Sequence, residues 1–157
     1  MGYTNYFYTS KEINKSNWKA FIVKAKLLLA NEESFIEDES NNNMVFFNGK
    51  AGGETMVLER VCTDEFSVQR ANQSYDRKCF NFCKTNQRAY DKHVVATLLL
   101  AKLMLFDDIR ISSDGNVTDW EAGRMFLNKK LGMNVVINTM DGEIEHATIE
   151  EAFEVKA

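Results

Sequence analysis

The chain has 157 residues, of which 45% are hydrophobic and 27% charged, and its net charge is −4. That size fits one globular domain with a real core, and the plentiful Leu, Val, Ile and Phe exclude wholesale disorder. The acidic balance argues against a non-specific nucleic-acid binder, and no window approaches the run of about 18 apolar residues that a membrane span requires.

In chain order, residues 2–8 are aromatic and β-branched and predict a first strand, with Tyr3, Asn5 and Phe7 on one face and Thr4, Tyr6 and Tyr8 on the other. The opening residues show neither a basic nor an apolar leader segment. Residues 17–31 predict a helix: Trp18, Phe21, Ile22, Ala25, Leu28 and Leu29 recur at helical spacing, with Ser16 as its N-cap. The acidic stretch 37–43 reads as a loop. Residues 44–48 and 55–61 predict a strand hairpin joined by the glycine-rich 49–53. Residues 66–75 fit a short strand followed by a loop.

The most apolar element is a helix over 90–106, hydrophobic around more than half its circumference and so expected to be packed on two sides. A strand over 108–112 follows, with Ile109 and Ile111 on one face, closed by Asp114-Gly115. Thr118-Asp119-Trp120-Glu121 fits a capping box, so a third helix is expected from there to Leu131, with Gly132 as C-cap. Asp141-Gly142 predicts a two-residue hairpin between 134–140 and 143–147, and Thr148-Ile149-Glu150-Glu151 a short terminal helix. There is neither a linker nor an internal repeat. The expected architecture over 1–157 is a single α+β domain: a small mixed or antiparallel sheet with about three helices packed on it.

Two polar turns should share one rim. A helix of about 17 residues runs roughly 25 Å, and the short connection after it forces the next strand back along its length. Ser113, Asp114 and Gly115 therefore return near Lys84, Thr85, Arg88, Tyr90 and Asp91. Two helix N-termini then face the same side, and their free N–H groups favour an anion. Lys84, Thr85 and Arg88 would hold the charged group, Tyr90 would stack on a base or sugar, and Asn48, Asp91, Ser113 and Asp114 would orient the ligand. The plainer reading has equal weight residue by residue: Asp91 and Asp119 suit the first turn of any helix, and Lys84 and Arg88 suit a solvated loop.

Other chemistry is weaker. Cys62, Cys79 and Cys83 are odd in number, and the expectation is reduced thiols in a cytoplasmic protein. Cys83 stands ahead of a helix N-terminus with His93 nearby, the ingredients of a nucleophile, but packing is favoured about four to one for so commonly buried a residue type. Cys79 and Cys83 lack the usual metal-ligand spacing, so neither a metal nor a cofactor is expected. Residues 49–53 lack the ending of a phosphate-cradling loop. Tyr3, Tyr6, Phe7 and Tyr8 suit a packed sheet face better than a stacking platform.

The blocks Met1-Gly2-Tyr3-Thr4-Asn5-Tyr6-Phe7, Phe47-Asn48-Gly49, Phe82-Cys83-Lys84-Thr85, Tyr90-Asp91 and Ser113-Asp114-Gly115, with Trp120, resemble a recurrent family of uncharacterised phage and bacterial proteins. The resemblance covers residues 1 to about 132. It implies no established activity. Members carry His where this chain has Asn5, and Pro where it has Ala89; a catalytic base would be lost with that His, whereas a binding site tolerates Asn. The function expected is capture of a small anionic, nucleotide-derived ligand, which in a phage setting would sequester an immune messenger in the host cytoplasm, with a homo-oligomer partner able to complete the pocket. The alternatives are an enzyme on a nucleotide or ADP-ribose-like substrate, using Cys83 or Asp91, and an interaction module inhibiting a host enzyme through Glu37–Glu39 or the C-terminal hairpin.

Overall fold

A computed structural model describes residues 2–62 and 79–152. The fold is α+β: the described residues form three helices and eight strands, the strands arranged in small antiparallel sheets. The stretch 66–75 lies outside the described residues.

Strand β1 (Thr4–Thr9) is the middle of the first sheet, between β5 (Cys79–Lys84) and β6 (Ile109–Ser113). Its alternation matches the expected one, because Asn5, Phe7 and Thr9 are buried. The second sheet is β2 (Ile36–Asp38), β3 (Met44–Gly49) and β4 (Met56–Glu59); the expected hairpin is β3 with β4. The third pairs β7 (Val135–Asn138) with β8 (Thr148–Glu151).

Helix α1 (Lys15–Leu29) buries the stripe Trp18, Phe21, Ile22, Ala25, Leu28 and Leu29. Its cap is Asn14, not Ser16: the Asn14 carboxamide oxygen accepts the Asn17 N–H at 2.9 Å. Helix α2 (Asp91–Leu105) buries eleven of its fifteen residues, so it is apolar all round because it is enclosed all round. It packs against α1, helix α3 (Val117–Leu131), β1 and β6. At its end Phe106 adopts a left-handed φ of 52° and Lys102 Nζ donates to the carbonyls of Phe106 and Ile109, which turns the chain at once into β6. Ile109 and Ile111 both face the core.

Several expectations are corrected. Residues 37 and 38 of the supposed acidic loop belong to β2, which pairs antiparallel with β3 and buries Ile36 while Glu37 and Asp38 stay exposed. Residues 79–84 form a strand the sequence did not announce. Helix α3 starts two residues early, capped by Asn116 with Asp119 closing the box, and ends as expected at Gly132 in the left-handed region. The Asp141-Gly142 hairpin does not form. Asp141 accepts the Glu143 N–H at 2.9 Å and pairs with His146 at 2.5 Å, so its carboxylate closes a local turn, and the strand partner of β7 lies further on, at 148–151. Thr148-Ile149-Glu150-Glu151 is that strand rather than a helix start.

Candidate functional site

The chain reversal brings the two polar turns together. Asn5, on the middle strand, faces Cys83 on one side and Ser113 on the other, and Thr4 faces Lys84. Asp114 closes the far side, exchanging its own N–H for the Thr4 carbonyl and accepting the Thr4 N–H on its carboxylate, both at 2.9 Å.

The turn before α2 is strained. Asn86 and Gln87 are consecutive non-glycine residues at φ of 52° and 55°, a conformation costing on the order of 1 kcal/mol or more apiece. It is pinned by Tyr3, whose carbonyl accepts the N–H groups of Thr85 and Asn86 and whose own N–H donates to the Asn86 side chain. This turn delivers Thr85 and Asp91 to the sheet end. Thr85 Oγ1 donates to Asp91 Oδ1 at 2.5 Å, and Asn5 Nδ2 donates to the same oxygen at 2.9 Å. Ser113 Oγ in turn donates to Asn5 Oδ1 at 2.7 Å and lies 3.4 Å from the Tyr3 hydroxyl. Asn5 thus serves both halves of the network, a donor to the acid and an acceptor from the serine.

Asp91 is only 9% exposed, and no cation pairs with it among the described residues. Burial raises its pKa, against the pull of the Thr85 and Asn5 hydrogen bonds, and Asp119 adds a like charge. Its Oδ2 has no hydrogen-bond partner among the described residues. Beside it Trp120 is fully buried, and its indole N–H is left without a hydrogen bond of proper geometry. That N–H approaches the Tyr3 phenol, whose pKa burial raises while Ser113 and Trp120 draw it back. Gly115 makes room for the phenol: a Cβ there would stand 2.1 Å from the Tyr3 hydroxyl.

Lys84 and Arg88 are exposed on this rim, Arg88 with one guanidinium N–H on the Ala51 carbonyl at 3.2 Å. The Asp91 N–H donates to the Arg88 carbonyl at 2.8 Å, which keeps the two residues on one turn.

Two expectations fail. Tyr90 is 1% exposed and cannot stack on a ligand; its hydroxyl donates to the Glu54 carbonyl at 2.6 Å and its ring fills the glycine loop. Gly53, at φ 118°, leaves just enough room, since a Cβ would sit 2.4 Å from that hydroxyl. The helix N-termini are also less open to an anion than expected. At α3, Asn116 and Asp119 occupy each other's N–H groups and the Val117 N–H donates to the Gly142 carbonyl. At α2, the carbonyls of Arg88 and Tyr90 accept from Asp91, His93 and Val94.

Asn48 is half-buried in the second sheet, where its side chain accepts the Gly49 N–H at 2.8 Å, and no hydrogen bond joins it to the network. Asn5, Tyr3 and Trp120 stand in the family-like blocks but not among the residues expected to hold the ligand. The signal for Asn5 was there: a polar residue on the face it shares with Phe7.

The thiols separate into two kinds. Cys62 and Cys79 form a disulfide, against the expectation of reduced thiols, because the residue after the Glu12–Val61 bridge meets the start of β5. Cys83 is free and fully buried, its thiol pushed up to about 12 by burial, so it is protonated and walled in. His93 does not approach it; its Nε2 pairs with Glu32 Oε1 at 2.8 Å, and Glu32 Oε2 pairs with Lys130 at 2.9 Å. No helix is long and apolar enough to cross a membrane among the described residues. Comparison of the chain with protein-family models, curated proteins and solved structures gives no match.

Proposed function

We propose that the protein captures a small anionic, nucleotide-derived ligand at this rim and releases it unchanged. The observation that carries the reading is Asp91: a buried carboxylate with no cationic partner among the described residues, one oxygen committed to Thr85 and Asn5 and the other available. Such an acceptor suits ribose hydroxyls or a ring amine, which donate. Lys84 and Arg88, exposed at the mouth, suit its phosphate. With Cys83 protonated and enclosed, the rim holds no activated nucleophile among the described residues, which favours capture over turnover. Sequestration of a nucleotide messenger, as in phage counter-defence, fits this chemistry.

Thermal unfolding with millimolar 5′-AMP, ADP-ribose and the dinucleotide pApA tests it. A ligand at about 100 times its Kd adds about 2.7 kcal/mol of stability, a rise of several degrees. The double substitution Lys84→Ala and Arg88→Ala should abolish the rise; a rise that survives removes these cations from the site. Ligand recovered intact after heat denaturation supports capture, and altered ligand contradicts it.

A further inference from the structure

Helix α1 has two faces, and the core uses one of them. The stripe Trp18, Phe21, Ile22, Ala25, Leu28 and Leu29 is buried. At about 100° per residue, the positions opposite it are Ser16, Ala20, Val23 and Leu27, spaced four, three and four apart. All four are exposed, and Val23 and Leu27 each keep 57% of their surface in solvent. Single apolar residues on a surface need no explanation. Three in line along the outer face of one helix repeat the seam pattern by which one helix grips another. The charges around this seam are one-sided. Lys19 and Lys26 flank it on one side and Lys24 on the other, all exposed. The helix holds four lysines and no acidic residue, in a chain of net −4. Lys26 Nζ donates to the Asn42 carboxamide oxygen, a neutral partner that leaves the charge unmatched, and neither Lys19 nor Lys24 has an ion pair among the described residues.

We propose that the outer face of α1 docks an acidic amphipathic helix of a partner protein. The inference goes beyond the nucleotide reading and shares no residue with the rim. Val23 and Leu27 supply the apolar contact, and Ala20 is small enough to let a partner backbone come close. The lysines on both flanks supply the selection: a helix with Glu or Asp beside its own apolar stripe gains at each flank, and a basic helix is repelled. The same rule disfavours a second copy of this chain. Pairing α1 with α1 sets lysine against lysine. Helix α2 is enclosed, and α3 ends in Lys129 and Lys130 while its Glu121 is held by Arg124. An anionic bilayer is the weaker match, because the large side chains that would anchor an interfacial helix, Trp18 and Phe21, are committed to the core. From Ser16 to Leu27 the seam runs about 16 Å, or roughly three turns, so the contact belongs to the small, transient class.

Two synthetic helical peptides of about four heptads test the inference, both with Leu along the seam, one with Glu and one with Lys on the flanks. Like charges keep each peptide from pairing with itself. Calorimetric titration into the full chain at low salt should show saturable binding of the Glu peptide, at least about tenfold tighter than the Lys peptide and several-fold weaker in roughly 0.5 M salt. Val23→Gln with Leu27→Gln keeps good helix formers on an exposed face and should weaken the Glu peptide at least about tenfold. Lys19→Glu with Lys24→Glu should reverse the preference, so that the Lys peptide binds more tightly. Thermal unfolding without peptide checks the fold of each variant. No saturable binding of the Glu peptide, equal affinity for the two peptides, or binding unchanged by the paired Gln substitutions overturns the proposal. Two controls assign the seam elsewhere and overturn it as well. One is binding to phosphatidylserine vesicles, without binding of the Glu peptide, that the Gln substitutions abolish; the other is a dimer in sedimentation that they dissociate.

Discussion

Asp91 and His93 stand two residues apart in the first turn of α2, both buried and both titratable, and the chain treats them in opposite ways. His93 is compensated through one ring nitrogen: Nε2 pairs with Glu32, while Nδ1 has no hydrogen-bond partner among the described residues. Its imidazole, lying between Phe35 and Phe126, holds Glu32, and Glu32 holds Lys130, so a cluster joins the segment after α1 to α2 and α3. Burial pushes the Glu32 carboxyl up, but hydrogen bonds from Lys130 and His93 more than reverse this and leave it low. Asp91 has hydroxyl and amide donors, no cation among the described residues, and a raised pKa. A buried group held by a paired partner serves the structure; a buried carboxylate left unmatched just after a strained turn is the better candidate for a ligand.

The largest effect should come from breaking the matched cluster. Glu32→Ala leaves the buried imidazole N–H and Lys130 without their shared acceptor and should cost about 2–3 kcal/mol in denaturant unfolding, with the nucleotide response of the folded fraction unchanged. A cost below ~0.5 kcal/mol, within the range of ordinary surface substitutions, would dissolve the contrast. A smaller effect sharpens it. Burial holds the His93 pKa below the ordinary histidine value despite Glu32, so as pH falls the unfolded chain takes up a proton that the folded chain refuses. The stability is therefore present above the ordinary histidine range and lost as pH falls through it. Asp91 acts with the other sign: its raised pKa favours the folded state in acid, and that contribution is lost as pH rises from the ordinary carboxylate range through the raised value. Denaturant midpoints between about pH 7.5 and about pH 5.5 should fall toward acid; a flat profile contradicts the assignment of His93.

The sequence made the skeleton of this site legible because the skeleton depends on local pattern. The alternation of β1, the all-round apolarity of α2 and the short connection after it suffice to return Ser113 to the level of Thr85 and Asp91. What stayed hidden depends on partners far along the chain. Tyr90 looks like a stacking residue until its hydroxyl meets the Glu54 carbonyl 36 residues away. Asn5 looks like one polar residue in a strand until it bridges Ser113 and Asp91. β5 escaped because its phenylalanines point outward and its cysteines inward, which inverts the usual hydrophobic signal of a strand. The Cys62–Cys79 pairing escaped for the same reason: once β5 is missed, nothing places Cys79 beside Cys62.

Asp91→Asn is the most direct test of the central claim. The amide keeps an acceptor oxygen for Thr85 and Asn5 and removes the unmatched charge, so the variant should unfold at or above the parent temperature at neutral pH while losing the stabilisation by pApA or 5′-AMP. A variant that unfolds at lower temperature yet keeps the full nucleotide shift would show Asp91 to be a structural pin and contradict the account.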